Sequence, residues 1–376
     1  MDNLETKYKF SNKYFESISI LKKDIINKSV IPHQVEFQPG PISKKICWLS
    51  CPYCYGSSAT DTGERMSKDR FIEIINEIAN GGVKKITFAG WATDPLNYKY
   101  IDELLEASIN NNLTFGFNTK PLKISDKFIS LLSRSDIKND SWISLSVDAG
   151  CNETFNKVHG VKNLKLPLYD QFLSNVQSMS ACNKNKRKFD LSAAYLVNKF
   201  NCNKSEIIKF INDFRDAGCN IIRFSFAQPP RGKIEDNMDT VPSLVERNQY
   251  IKELENIVKI ENTNHCKIII IDPDQEHDIY YKARTTPCVA RFIYPTVGFD
   301  GRLYQCSQSA APNFKKTEIG DLKNNNFWDL YYNYDVKDFY NYFEKMNNLF
   351  NEVECRCDRK EHIANNIIKS SGEFER

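Results

Sequence analysis

Between about Gln34 and Asp272, short runs of β-branched and aromatic residues alternate with stretches in which apolar residues recur every three to four positions. Runs of the first kind read as strands and those of the second as amphipathic helices, so their alternation predicts βα units around a parallel sheet. Strands are predicted over residues 34–38, 85–89, 114–118, 142–148, 189–197 and 221–227, with 267–271 as a closing strand. Of the helices between them, one over 71–78 puts Phe71, Ile74, Ile75 and Ile78 on a single face. Another over 205–217 turns Ile207, Ile208, Phe210, Ile211 and Phe214 inward and has Gly218 as a stop. In parallel sheets the ligand-binding loops gather at the C-terminal strand ends, so the residues just after each strand are the first candidates for chemistry.

Composition narrows the picture modestly. The chain has 376 residues, 51 basic and 48 acidic, for a formal charge of +3. That balance gives no electrostatic reason to expect nucleic acid or an anionic membrane as partner. The longest apolar block, Ile268 to Ile271, is far below the roughly 18 residues of a membrane span. Twelve cysteines in a chain whose charged start lacks a signal-peptide core point to a reducing cytoplasm rather than to disulfides.

Residues 47–56 read CWLSCPYCYG. Cys47, Cys51 and Cys54 put three thiolates on one short loop, enough for three corners of a cubic iron–sulfur cluster that normally takes four cysteines. The alternative on the same cysteines is a zinc knuckle or redox dithiol, for which His33 is the near fourth ligand. The spacing, and the aromatic Tyr53 before the third cysteine, resemble the radical SAM superfamily. The resemblance implies a [4Fe–4S] cluster whose open iron binds S-adenosylmethionine (SAM), with Cys47, Cys51 and Cys54 as ligands and catalytic centre. It also implies a partial (β/α)6 barrel and a flavodoxin- or ferredoxin-type electron donor.

The positions expected to hold SAM follow the strands. After the second strand, Gly90, Thr93, Asp94 and Pro95 stand where the family usually carries Gly-Gly-Glu-Pro. Thr93 or Asp94 would then accept from the SAM ammonium, and an ordinary turn is the alternative. Alternation in the fourth strand places Ser144, Ser146 and Asp148 on one polar face, and the resemblance gives Ser146 and Asp148 to the ribose and methionine carboxylate. Asn118 and Asn198 are similar candidates. Arg223 on the sixth strand would pair with a carboxylate of SAM or substrate, or with a structural one. Gln228 would line the adenine pocket, and Cys151 and His159 would lie near the substrate.

A second cysteine set follows. Twelve residues separate Cys288 from Gly301, and four separate Gly301 from Cys306. Asp300 and Gly301 signal a hairpin turn, here expected between 292–294 and 302–304. The spacing and Ile319, Gly320, Asp321 and Leu322 resemble a SPASM or twitch module. That resemblance implies one auxiliary [4Fe–4S] cluster on Cys288, Cys306, Cys355 and Cys357, with structural zinc as the alternative. Cys182, Cys202, Cys219 and Cys266 have no cluster spacing and read as buried thiols.

The expected organisation is a helical lead-in over 1–32, a radical SAM core over 33–282 and a twitch/SPASM-like extension over 283–376. The expected function is reductive SAM cleavage followed by hydrogen abstraction. The outcome is oxidation or epimerisation of a small polar metabolite such as a sugar or amino sugar, because the stretch ahead of Cys47 is short for a peptide-recognition domain. The alternatives are modification of a ribosomally made peptide and, outside enzymes, an iron–sulfur or zinc redox regulator.

Overall fold

The computed structural model describes residues 17–40, 47–54, 56, 63–91, 93–184, 186–227, 239–271, 287–310, 312–355, 357 and 359–374. Gln228 lies outside them. Ten strands occur among the described residues, in chain order: β1 (Val35–Gln38), β2 (Lys85–Phe88), β3 (Thr114–Thr119), β4 (Ser141–Ser146), β5 (Phe189–Val197), β6 (Ile221–Phe226), β7 (Lys267–Ile270), β8 (Thr296–Gly298), β9 (Arg302–Tyr304) and β10 (Gly320–Asp321). The seven strands expected from the apolar runs are all present, alternating with helices in the expected α/β class. The chain packs as two units, one from Met1–Pro39, Thr60–Thr87 and Asp274–Arg376 and the other from Gly40–Ala59 and Phe88–Pro273. These interleave along the sequence.

In the second unit β3 to β7 pair in sequence order, every pair parallel. Each crossover carries an apolar stripe onto the sheet. The helix Lys204–Asp216 starts where Asn203 accepts from the Ser205 and Glu206 amides, and it buries Ile207, Phe210, Ile211 and Phe214. Ile208 is only half-buried, because the stripe at this end is narrower than the run of apolar letters. Gly218 ends the turn at φ +94°, a conformation glycine adopts without strain. The Phe210 ring meets Tyr195 at a tilt, 4.8 Å between centroids, joining the helix to β5.

In the first unit β1 runs parallel to β8, aligning Glu36 with Thr296 and Gln38 with Gly298. β8 turns back into β9, and β10 adds a further antiparallel strand. The hairpin differs from expectation: its first arm is Thr296–Gly298, while residues 290–293 form a helical turn. The Gly301 amide donates to the Gly298 carbonyl at 3.1 Å, so the strand must directly precede that four-residue turn. Pro295, which has no amide to give a ladder, stands at its start. On the helix Lys68–Asn80, Phe71, Ile74, Ile75 and Ile78 are all buried as expected. The lead-in helix Ile18–Ile26 buries Leu21 and Ile25.

Candidate active site

The cysteine loop belongs to the second unit. Cys51, Pro52, Tyr53 and Cys54 form a turn closed by the Cys54 amide on the Cys51 carbonyl at 3.1 Å, with proline in the second position that such turns favour. Cys47 and Cys51 are half-buried and Cys54 is exposed. Burial raises the Cys47 and Cys51 thiols, Cys51 to about 12, and the neighbouring thiols push in the same direction. The three sulfurs are therefore within electrostatic reach of one another. Soft thiolates suit iron–sulfur binding, and ligation would remove their protons. Among the described residues no three His, Cys, Asp or Glu side chains converge as a single metal ion requires.

Two distant residues grip this loop. Tyr53 is buried and donates to Asp148 at 3.0 Å, while the other Asp148 oxygen accepts from the Leu196 amide at 2.8 Å. Asp148 follows β4 at φ +61°, so the alternation that puts Ser144 and Ser146 on one face ends before it. Its carboxylate holds Tyr53 to the end of β5, a role the sequence did not show. The second grip is His159, fully buried with Nδ1 3.3 Å from Cys51 Sγ and Nε2 3.1 Å from the Val147 carbonyl oxygen. Burial holds its pKa well below the usual imidazole value. A neutral ring whose Nε2–H donates to Val147 and whose Nδ1 accepts from the Cys51 thiol satisfies both neighbours. The Ser50 amide also donates to the His159 carbonyl at 3.0 Å. At the adjoining Gly160, φ is +66° and a Cβ would lie 2.4 Å from the Ser50 oxygen.

Lys120, just past β3, is the residue the sequence analysis missed. Its ammonium lies 3.9 Å from Asp148. Burial pulls its pKa down, but Cys51, Asp148, Cys54 and Asp94 more than offset this, leaving it raised. Its charge favours the thiolates of Cys47 and Cys51. The only signal was its position after a parallel strand, where Asn118 drew attention instead.

The other candidates divide. Asp94 accepts from the Thr119 hydroxyl at 2.6 Å and from the Lys120 and Leu96 amides at 2.5 and 3.0 Å, so its carboxylate already caps its own turn. Thr93 accepts from Asn97 at 3.2 Å. A Cβ on Gly90 would meet the Thr93 carbonyl oxygen at 2.2 Å, so this turn requires glycine. Arg223 donates to the hydroxyls of Ser192, at 3.0 Å, and Ser144. Ser146 and Asn118 are half-buried at the ends of β4 and β3. Asn198 is buried and shapes a turn through the Phe200 amide. Cys151 lies 3.4 Å from Glu206, and the His33 ring meets Tyr294 edge-on, 6.2 Å between centroids.

In the first unit Cys288, Cys306 and Cys355 are buried and Cys357 is half-buried. Asn365 accepts from the Val289 amide at 3.0 Å and donates to Cys357 Sγ at 3.4 Å. That one side chain joins the neighbour of Cys288 to Cys357. The Cys306 amide donates to the Ser309 hydroxyl at 3.0 Å.

A parallel α/β sheet and a three-thiol loop held by buried polar groups define a class, and the comparisons agree. The model of the radical SAM superfamily matches residues 42–190. Residues 42–190 are thus similar to that superfamily, whose members use a [4Fe–4S] cluster and SAM. An uncharacterized protein of Archaeoglobus fulgidus is 24% identical over 226 residues, 60% of this chain and 48% of the relative. The chain thus spans about half the length of that relative. A protein of Flammeovirga pacifica named S-adenosylmethionine-dependent nucleotide dehydratase is 24% identical over 58% of this chain and 72% of its own. Streptococcus suis SuiB bound to S-adenosylmethionine has a similar fold, with a TM-score of 0.61 at 14% identity over 88% of this chain and 71% of SuiB. So does anSMEcpe with bound AdoMet and a peptide, with a TM-score of 0.57 at 14% identity over 91% and 96%.

Proposed function

We propose that this protein is a radical SAM enzyme acting on a small polar metabolite that carries a sugar, with a nucleotide as the favoured class. The observation that carries the reading is the loop of Cys47, Cys51 and Cys54, tied at Cys51 to the buried His159 and at Tyr53 to the buried Asp148. A [4Fe–4S] cluster bound there with SAM supplies a 5′-deoxyadenosyl radical when one electron is delivered. The protein's part is to hold three thiolates and leave the fourth corner open. Lys120 places a cation among those thiolates and offsets their charge. Gly90, Thr93, Ser146 and Arg223 are the groups offered to SAM, and Asp148 acts through Tyr53.

The nucleotide class rests on the name of the Flammeovirga pacifica relative. A dehydration needs no net electron acceptor, whereas an oxidation does. Four thiolates at Cys288, Cys306, Cys355 and Cys357, if they hold an auxiliary cluster, leave no corner open for substrate and support an oxidising outcome. The test is anaerobic turnover of reconstituted protein with dithionite and SAM. The reading expects 5′-deoxyadenosine, formed faster when nucleotides are added. Stimulation by peptide instead would move the substrate to the peptide class, and a colourless protein that leaves SAM intact would overturn the reading.

A further inference from the structure

One side chain of the first unit touches two of the segments that carry cysteines. Asn365 lies on the helix Arg359–Ser371 and is buried there, as are Ala364 and Ile368. Its Oδ1 accepts from the Val289 amide, next to Cys288, at 3.0 Å, and its Nδ2 donates to Cys357 Sγ at 3.4 Å. Chemistry fixes this orientation: a backbone N–H only donates and must face the carbonyl oxygen, which leaves the NH2 group for the sulfur. A buried amide needs both of its ends paired, yet a thiol is a weak acceptor. A thiolate is a stronger one, because hydrogen bonds to an ionised partner are about twice as strong as neutral ones. The Asn365 contact therefore suits Cys357 in the deprotonated form that ligates metal. Cys355 stands differently, with its amide donating to the Phe350 carbonyl at 2.7 Å, just past the helix Phe339–Glu352. Side chains that hydrogen-bond metal ligands orient them, and donors on cluster sulfurs help to set the reduction potential.

We infer that Asn365 is a positioning residue of the second cysteine set: it holds Cys357 as a thiolate ligand to the Cys288 segment and, by donating to that sulfur, raises the potential of the cluster bound there. The inference rests on the auxiliary cluster of the proposed function. Asn365→Asp tests it, because the carboxylate still accepts from the Val289 amide but turns an acceptor and a negative charge toward the sulfur. In cluster-free protein, iodoacetamide should alkylate Cys357 about tenfold more slowly in the variant, read by peptide mass, with the Cys355 rate unchanged. In reconstituted protein, dithionite supplies one electron to each cluster and electron paramagnetic resonance follows the two midpoints. The second midpoint should fall by about 59 mV, a tenfold shift in the oxidised-to-reduced ratio for one electron, while the cluster of Cys47, Cys51 and Cys54 titrates as in wild type. Cys357→Ser is the companion variant and should lose about half of roughly eight irons per chain. Wild-type alkylation and midpoint in Asn365→Asp, or full iron in Cys357→Ser, would overturn this inference alone. Only about four irons in the wild type would overturn the auxiliary cluster, and the ligand role of Cys357 with it.

Discussion

The two cysteine sets solve different problems. Cys47, Cys51 and Cys54 sit within eight positions on a partly exposed turn, so their proximity is local and their surroundings come from far away. Cys288, Cys306, Cys355 and Cys357 come from three separate stretches and are mostly buried, and Asn365 joins the neighbour of Cys288 to Cys357. A local set can leave one corner open toward solvent and substrate. A dispersed, buried set suits a group that only stores or passes an electron. The sequence therefore advertises the first set openly and the second only through a resemblance.

This contrast can be broken at either end. Replacing Cys47, Cys51 and Cys54 together with alanine should abolish 5′-deoxyadenosine formation and remove about half of roughly eight irons per chain, counted by iron assay. Retention of all the iron would mean the loop holds none. Gly160→Ala should cost about 3 kcal/mol, since it strains a left-handed residue and drives a methyl into the Ser50 carbonyl. Denaturant unfolding reads the cost, and the lost iron should come from the first set alone. Tyr53→Phe leaves one Asp148 oxygen without its donor and should cost about 2 kcal/mol, with weaker binding of the first cluster. Asn365→Ala should cost about as much, by stranding the buried Val289 amide. Here the iron lost should be that of the second set, and loss from the first would refute the separation of roles.

The smallest effect is a pH dependence confined to the cysteine-loop side. His159 has its folded pKa depressed, so below the ordinary imidazole value of about 6.5 the unfolded chain takes up a proton that the folded one refuses. Its share of stability is present above that value and is lost as pH falls. Urea melts of cluster-free protein should show a loss of roughly 1 kcal/mol from this group between about pH 7 and pH 6. His159→Phe should flatten that part of the profile, and an unchanged slope would show that another group carries it.

Most of the fold was readable because period and composition decide it. The Val, Ile and Phe runs of β1 to β7 cannot be solvated, and one helix face was visible at Phe71, Ile74, Ile75 and Ile78. The hairpin arm was misplaced because residues 292–294 and 296–298 are both apolar. Only the turn from Gly298 to Gly301 and the missing amide of Pro295 choose between them. Asp148 was placed on the face of Ser144 and Ser146 because alternation was extended past the strand end, where its left-handed backbone brings one oxygen to Tyr53.

By itself the sequence determined the chemistry on offer: three soft thiolates on one turn, and a parallel α/β frame to carry them. Those depend on spacing and periodicity, which are local. Tertiary structure decided what surrounds the thiolates: Asp148 on Tyr53 across 95 positions, His159 on Cys51 across 108, and Lys120 as the local cation. Such partners are chosen by which buried polar groups must satisfy one another once water is excluded, and that is settled only when the chain has folded.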